Sequence, residues 1–108
     1  MTVSAGDLWV ADITFTNGTA SKRRPVLILW IDGADAVVAA VTSAAPRSQS
    51  DVTRQDWAAA GLRVSSTVRL ARLDCLEQSL LLHQLGKLSN ADAGRLRTVW
   101  DQFIKPQF

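Results

Sequence analysis

The sequence contains few of the residue types that bind metal ions. Its 108 residues include one cysteine, Cys75, and one histidine, His83, and its acidic residues are scattered without ligand spacing. These shortages exclude an internal disulfide and predict neither a metal site nor another cofactor. The acidic neighbours Asp74 and Glu77 are expected to raise the pKa of the Cys75 thiol, which argues against a reactive thiolate.

Motifs of several enzyme classes are also missing. Gly33 and Gly61 stand alone, so no glycine-rich phosphate-binding loop is predicted. His83 lies among leucines, which favours a strand residue with a local hydrogen bond over the base of a catalytic triad. No apolar run is long enough to cross a bilayer, and residues 1–6 have neither a basic start nor an apolar core. We therefore expect no membrane contact, no secretion signal and a cytoplasmic protein.

The composition that remains is typical of a globular domain. Apolar residues make up 47% and charged residues 20% of the chain, which predicts a single domain over residues 1–108 with its own hydrophobic core. The net charge of +2 permits an anionic partner but falls short of a polycationic nucleic-acid binder.

Most of the chain has strand-like patterns. Runs rich in β-branched and apolar residues predict strands over residues 7–15, 25–31, 36–42, 66–73 and 80–87. The continuous apolar run after Pro25 predicts burial on both faces, and Asp32 with Gly33 predicts a hairpin turn. The last two strands are expected to pair with each other. Residues 52–57 fit neither a strand nor a helix period, so both stay open, and residues 58–61 predict one helical turn.

The clearest helix signal lies at the C-terminus. Ser89 is placed to cap it, with Asp92 in the capping-box position. Apolar residues then recur at helical spacing, at Leu96, Val99, Trp100 and Phe103, until Lys105 and Pro106 end the pattern. Strands followed by one helix predict a mostly β fold, a small twisted barrel closed by the C-terminal helix.

A basic triplet, Lys22, Arg23 and Arg24, directly precedes the predicted buried strand that begins at Pro25. Proline fixes its own φ and pushes the preceding residue into an extended conformation, so the guanidinium of Arg24 is held at a strand edge. A guanidinium matches phosphate oxygens two at a time. From these residues alone, a phosphate site and a solvated basic loop are equally supported.

Hydroxyl groups end the next strand, at Thr42 and Ser43. A hairpin between the two strands places Arg24 beside Thr42, a pair suited to the extra negative charge of a phosphodiester transition state. Arg69 lies in a later strand, where alternation puts it on the face opposite Arg72. The alternatives remain that Thr42 only caps a loop and that Arg69 is only a surface cation.

Several of these segments together resemble the MazF/PemK family of type II toxins. The likeness is carried by residues 6–12 (GDLWVAD), 21–29 (SKRRPVLIL) and 41–43 (VTS), and it continues through 56–62, 67–70 and 85–89. It covers nearly the whole chain, and the ordered series is more specific than any single segment.

The resemblance implies an SH3-like barrel that forms a homodimer and is neutralised by the disordered tail of a cognate antitoxin. It also implies metal-independent cleavage of single-stranded RNA to a 2′,3′-cyclic phosphate and a 5′-hydroxyl. Arg24 and Thr42 match the catalytic arginine and threonine of the family. The residues expected to contact RNA are Lys22, Arg23, Ser43, Arg47 and Arg69.

One position departs from the family pattern. Some PemK-type members have an aspartate two residues after the arginine matched by Arg69, and here that residue is Ala71. The general base then falls to Arg24, Thr42 or solvent, unless Asp12 or Asp74 reaches the site. Three alternatives remain: a non-catalytic binding module of the same fold, a toxin that poisons gyrase through its C-terminal residues, and a family member that has lost its activity.

Overall fold

The computed structural model describes residues 2–14, 21–53 and 66–108. Most of these residues form one antiparallel sheet, and the chain ends in a helix. In chain order the elements are strands β1 (Asp7–Thr14), β2 (Ser21–Asp32), β3 (Asp35–Thr42), β4 (Asp51–Thr53) and β5 (Thr67–Glu77), a 3₁₀ turn (Gln78–Leu80), strand β6 (Leu81–Lys87), helix α1 (Asn90–Val99) and a π-helical turn (Trp100–Ile104). The predicted class, mostly β with a C-terminal helix, is confirmed.

The hairpin between β2 and β3 forms where the sequence predicts it. Gly33 has a φ of 60° in this turn, a conformation that glycine adopts without the strain a Cβ would bring. Residues 52 and 53, the start of the segment 52–57 for which the sequence left both strand and helix open, belong to strand β4. Strand β5 continues beyond its predicted end to Glu77. Residue 15 and the helical turn predicted at 58–61 lie outside the described residues.

The six strands have the order β4-β5-β3-β2-β1-β6. In the described part of the chain β4 and β6 are the two edges, so the sheet is open and does not close into the predicted barrel. Each pairing is antiparallel, which lets short turns connect neighbouring strands such as β2 and β3.

The partner of β6 differs from the prediction. It pairs with β1, with Val10 opposite His83, rather than with β5. β5 pairs with β3 on one edge and, over residues Thr67 to Arg69, with β4 on the other. The 3₁₀ turn redirects the chain to the other end of the sheet, and Gln78 anchors that turn by donating to the carbonyl oxygens of Ala34 (2.9 Å) and Gly33 (3.0 Å).

The two faces of the sheet carry separate cores. One core packs Leu8, Leu27, Val68 and Leu70 under Leu96 of α1. The other core consists of the alternate residues on the opposite face: Trp9, Ala11, Val26, Ile28, Ala36, Val38, Leu76 and Leu81. The alternation of side chains along each strand therefore gives the sheet one face covered by the helix and one face without it.

Burial on both faces extends over only part of β2. Val26, Leu27 and Ile28 are each 1% exposed, but Trp30 is 44% and Ile31 is 38% exposed. The prediction of a strand buried throughout is wrong at this end of β2, although Ala36, the partner of Ile31 on β3, is buried in the second core.

The C-terminal helix begins as predicted. The Ser89 hydroxyl accepts a hydrogen bond from the backbone N–H of Asp92 at 3.1 Å. Leu96 is buried, and Trp100 packs against the core with its ring edge-to-face to Trp30, at 5.9 Å between centroids. Phe103 departs from the predicted apolar stripe because the π-helical turn changes the period, and its side chain is 42% exposed.

Cys75 is exposed on β5. Although it is exposed, local desolvation and then the carboxylates of Asp35, Asp32 and Asp74 raise the pKa of its thiol above the ordinary value. The direction of the pKa shift and the contribution of Asp74 agree with the prediction, whereas Glu77 is not among the causes. No helix within residues 2–14, 21–53 and 66–108 is long and apolar enough to span a membrane.

Candidate active site

A cavity of about 750 Å³ opens on the sheet face that α1 leaves uncovered. Its apolar lining includes Val26 of β2 and its partner Ala40 of β3, together with Val38, also of β3. Its charged lining residues are Arg24, Arg47, Arg69, Arg72 and Asp74. Four guanidinium groups against one carboxylate make this surface suited to an anion with several negative charges.

Arg24 lies on β2 just beyond the end of the ladder between β2 and β3. The β2–β3 ladder begins at Val26, whereas on its other edge β2 still pairs Arg24 with Ala11 and Pro25 with Val10. Pro25 has no N–H to donate, so it suits the point where the ladder to β3 stops. The exposed Arg24 side chain is therefore carried on a strand with a fixed backbone, as its position before proline predicts.

Thr42 is the last residue of β3 and lines the same cavity. Its hydroxyl oxygen accepts a hydrogen bond from the backbone N–H of Ala44 at 3.2 Å. This bond uses an acceptor site of the hydroxyl, so the hydroxyl proton can still be donated towards the cavity. Continuing the register that sets Val26 opposite Ala40 places Arg24 opposite Thr42.

Arg69 is held by a buried acid. Its Nε lies 3.4 Å from Oδ1 of Asp51, whose side chain is 1% exposed. The other oxygen of Asp51 accepts from the backbone N–H of Arg47 at 2.9 Å. One carboxylate thus contacts both Arg69 on β5 and the loop that carries Arg47. Asp51 is not a predicted site residue, because nothing in the sequence shows that the aspartate at the start of β4 is buried.

Arg72 also lines the cavity, although strict alternation along β5 places its side chain on the face opposite Arg69. Ala40 is opposite Arg69 and Ala39 is opposite Leu73, so three residues of β5 lie between two neighbouring positions of β3. This irregularity breaks the period of two and brings Arg72 into the same cavity as Arg69. The prediction that these two arginines lie on opposite faces is wrong for this reason.

Three predicted RNA contacts are not among the residues that line the cavity. Lys22 is exposed and paired with Ile13, a lining residue, so it stands beside the rim. Arg23 is exposed one position along β2 and therefore points to the other face from Arg24. Ser43 is exposed directly after Thr42. The structure brings together the remaining four predicted residues, Arg24, Thr42, Arg47 and Arg69.

The acidic residues near the cavity differ in position. Asp74 lines it and accepts from the N–H of Cys75 at 2.8 Å, whereas Asp12 is not among the lining residues. Asp74 pairs with Val38, four residues before Thr42 on β3, a separation of about 13 Å along a strand. Among the described residues, no group of His, Cys, Asp and Glu side chains is arranged to hold a metal ion.

Comparisons with known proteins give concordant results. Residues 4–103 match the family model described as PemK-like, MazF-like toxin of type II toxin-antitoxin system. No curated protein matches the chain. Solved structures with the same fold include the Mycobacterium tuberculosis toxin MazF-mt6, with 22% identity, a TM-score of 0.71 and coverage of 86% of this chain and 90% of that one.

Two further structures give similar values. An endoribonuclease from a mycobacterial species has 17% identity, a TM-score of 0.70 and coverage of 90% of this chain and 86% of that one. A MazE-MazF structure from Deinococcus radiodurans has 22% identity, a TM-score of 0.70 and coverage of 94% and 98%. At these identities the structures show a shared fold.

Proposed function

Because the chain belongs to the family of PemK-like, MazF-like toxins of type II toxin-antitoxin systems, we propose that it is an endoribonuclease that cleaves single-stranded RNA. The observation that carries the proposal is the single cavity that holds Arg24, Thr42, Arg47 and Arg69 on the helix-free face. An open cavity lined by guanidinium and hydroxyl groups suits a flexible phosphodiester chain better than a duplex or a neutral ligand. The structures similar in fold include proteins named as endoribonucleases.

The reaction we propose needs no catalytic metal. The 2′-oxygen of the RNA attacks the adjacent phosphorus in line, a 2′-O–P bond forms, and the bond from phosphorus to the 5′-oxygen breaks. The products are a 2′,3′-cyclic phosphate and a 5′-hydroxyl, which takes up a proton from solvent. Arg24 stabilises the charge of the pentacoordinate transition state through paired donors, and Thr42 donates to a phosphate oxygen.

We propose that solvent accepts the proton of the 2′-hydroxyl as the 2′-oxygen attacks. Asp51 is buried and paired with Arg69, and Asp74 lies opposite Val38, away from Thr42. The RNA supplies its own nucleophile, so the protein acts mainly by orienting the 2′-oxygen and the leaving group in line.

The decisive experiment incubates the purified protein with a long single-stranded RNA in excess EDTA. Arg24→Ala and Thr42→Ala are run in parallel, and Lys87→Ala, which removes an exposed cation of β6 away from both cavities, is the control. Mass spectrometry identifies the fragment ends. Discrete fragments ending in cyclic phosphate with the wild type and the control, and intact RNA with both site variants, are the expected result.

Intact RNA with every protein would contradict the proposal and favour a binding module, a degenerate toxin or a toxin that acts on gyrase. The last of these predicts that Arg24→Ala still binds gyrase, since that activity depends on the C-terminal residues. Cleavage by Arg24→Ala at the wild-type rate would remove the cavity from the chemistry.

We also propose that the chain forms a homodimer, acts in the cytoplasm and is bound by a cognate antitoxin. One of the solved structures with this fold is an endoribonuclease in complex with its cognate antitoxin. Trp30, which is 44% exposed, lines an apolar cavity of about 450 Å³ near α1 together with Trp100, and such a surface favours a protein partner. Light scattering measures the mass of the purified chain, and a monomer at micromolar concentration would contradict the dimer.

A further inference from the structure

Asp51 is a buried carboxylate at the junction of two cationic parts of the cavity. Its side chain is 1% exposed, whereas Arg69 is 26% exposed. Oδ1 pairs with Nε of Arg69 at 3.4 Å and Oδ2 accepts from the N–H of Arg47 at 2.9 Å. A buried carboxylate is costly without such partners, so its neighbours are tied to the positions that satisfy it.

The contact through Nε has a consequence for the guanidinium of Arg69. Nε lies at the base of the planar fork, so the pair with Asp51 leaves the Nη1 and Nη2 donors for other partners, and Arg69 lines the cavity. The pair also limits rotation of the side chain. Arg69 is therefore presented in a defined orientation, which alignment with a reacting phosphate group requires.

The Asp51 carboxylate also helps to fix the loop between β3 and β4, which carries Arg47 at the edge of the cavity. The loop between β3 and β4 folds back through bonds from the Asp51 N–H to the Ser48 carbonyl (3.2 Å) and from the Leu70 N–H to the Ser50 carbonyl (3.1 Å). Together with the Arg47 N–H, these bonds attach the loop to β5. Register places Asp51 opposite Arg69, which in turn is opposite Ala40 on the cavity face.

We propose that Asp51 is a positioning residue of this site, which orients the Arg69 guanidinium and the Arg47 loop towards the phosphate groups of bound RNA. The proposal rests on the proposed function for the identity of the ligand. Asp51 does not touch the substrate, because its carboxylate is buried behind Arg69. Its effect on the reaction passes through the two arginines.

Asp51→Asn tests this role with almost no change in size. An amide oxygen can accept from only one of the two donors, while its NH₂ group faces the other. We expect the Arg69 Nε–Hε signal in ¹⁵N NMR to shift and to exchange faster with water. We expect kcat for RNA cleavage to fall on the order of a hundredfold. Binding of an oligonucleotide with a 2′-deoxy cleavage site should change by less than about threefold, because all four arginines remain.

Two further variants separate positioning from general stability. Asp35→Asn removes the same charge from the far end of β3 and should leave kcat and the Arg69 signal unchanged. In the background of Arg69→Gln, Asp51→Asn should cause a much smaller further loss of kcat than it does alone, since its main route to the substrate is then absent. An equal loss in both backgrounds would overturn the role through Arg69.

The outcomes also distinguish this proposal from the proposed function. A wild type that leaves RNA intact contradicts the function, and the Arg69 signal in Asp51→Asn then decides the positioning role alone. An active wild type, together with Asp51→Asn that retains both wild-type kcat and an unchanged Arg69 signal, would overturn the positioning role while leaving the function in place.

Discussion

The salt dependence of RNA binding gives a quantitative test of the cavity. It is lined by Arg24, Arg47, Arg69 and Arg72, and each phosphate that these residues neutralise releases condensed counterions. For single strands the slope of log K against log salt is about −0.7 per phosphate contact, so three to four contacts predict a slope of about −2 to −3. Raising the salt from about 50 to 200 mM then weakens binding about 20- to 50-fold.

Fluorescence anisotropy with a 2′-deoxy-substituted, labelled oligonucleotide measures this slope without cleavage. Arg24→Ala and Arg72→Ala should each make the slope less steep by about 0.7, whereas Lys87→Ala on β6 should leave it unchanged. Binding that does not respond to salt would refute phosphate recognition by the cavity and indicate a protein partner. An unchanged slope in Arg72→Ala would show that the irregular segment of β5 does not contribute.

Three other predictions follow from single residues. Arg24→Lys should lower kcat about 100-fold or more, because lysine lacks the planar fork, and near-wild-type cleavage would contradict a bidentate role. Asp7→Ala removes the acceptor of the Ser4 N–H (2.9 Å) and of the Trp9 indole (3.3 Å). It should lower the free energy of unfolding in urea by about 2 kcal/mol, and an unchanged midpoint would contradict the reasoning. Because the pKa of Cys75 is raised, less thiolate is present at pH 8, so iodoacetamide should modify Cys75 more slowly than free cysteine and faster as the pH rises; equal rates at pH 8 would argue against a raised pKa.

The candidate site shows where inference from sequence succeeds. Arg24 precedes a proline and Thr42 ends a strand, and both features depend on the residues next to them in the chain. The hairpin at Gly33 then brings the two strands together in a register that local turn chemistry specifies. For this reason the sequence predicts the arginine and threonine side of the cavity. Their catalytic roles remain proposals.

Other parts of the site depend on contacts between distant segments. Arg72 lines the cavity because β5 pairs irregularly with β3. No local pattern in the sequence of β5 predicts that residues 70–72 have no partner on β3. Asp51 acquires its role when β4 docks on β5 and buries it beside Arg69. Charge and spacing do not reveal burial, so an acidic loop residue looks the same in the sequence whether it is solvated or paired.

By itself the sequence determines the local elements: most of the strands, the turn at Gly33, the start of α1 at Ser89 and the extended Arg24 before Pro25. These follow from backbone restrictions, capping and periodicity, which act over a few residues. The tertiary structure decides that β6 pairs with β1, that the described sheet stays open and that four arginines share one cavity. Those outcomes depend on the pairing and the register of segments far apart in the chain, so only the packed sheet determines them.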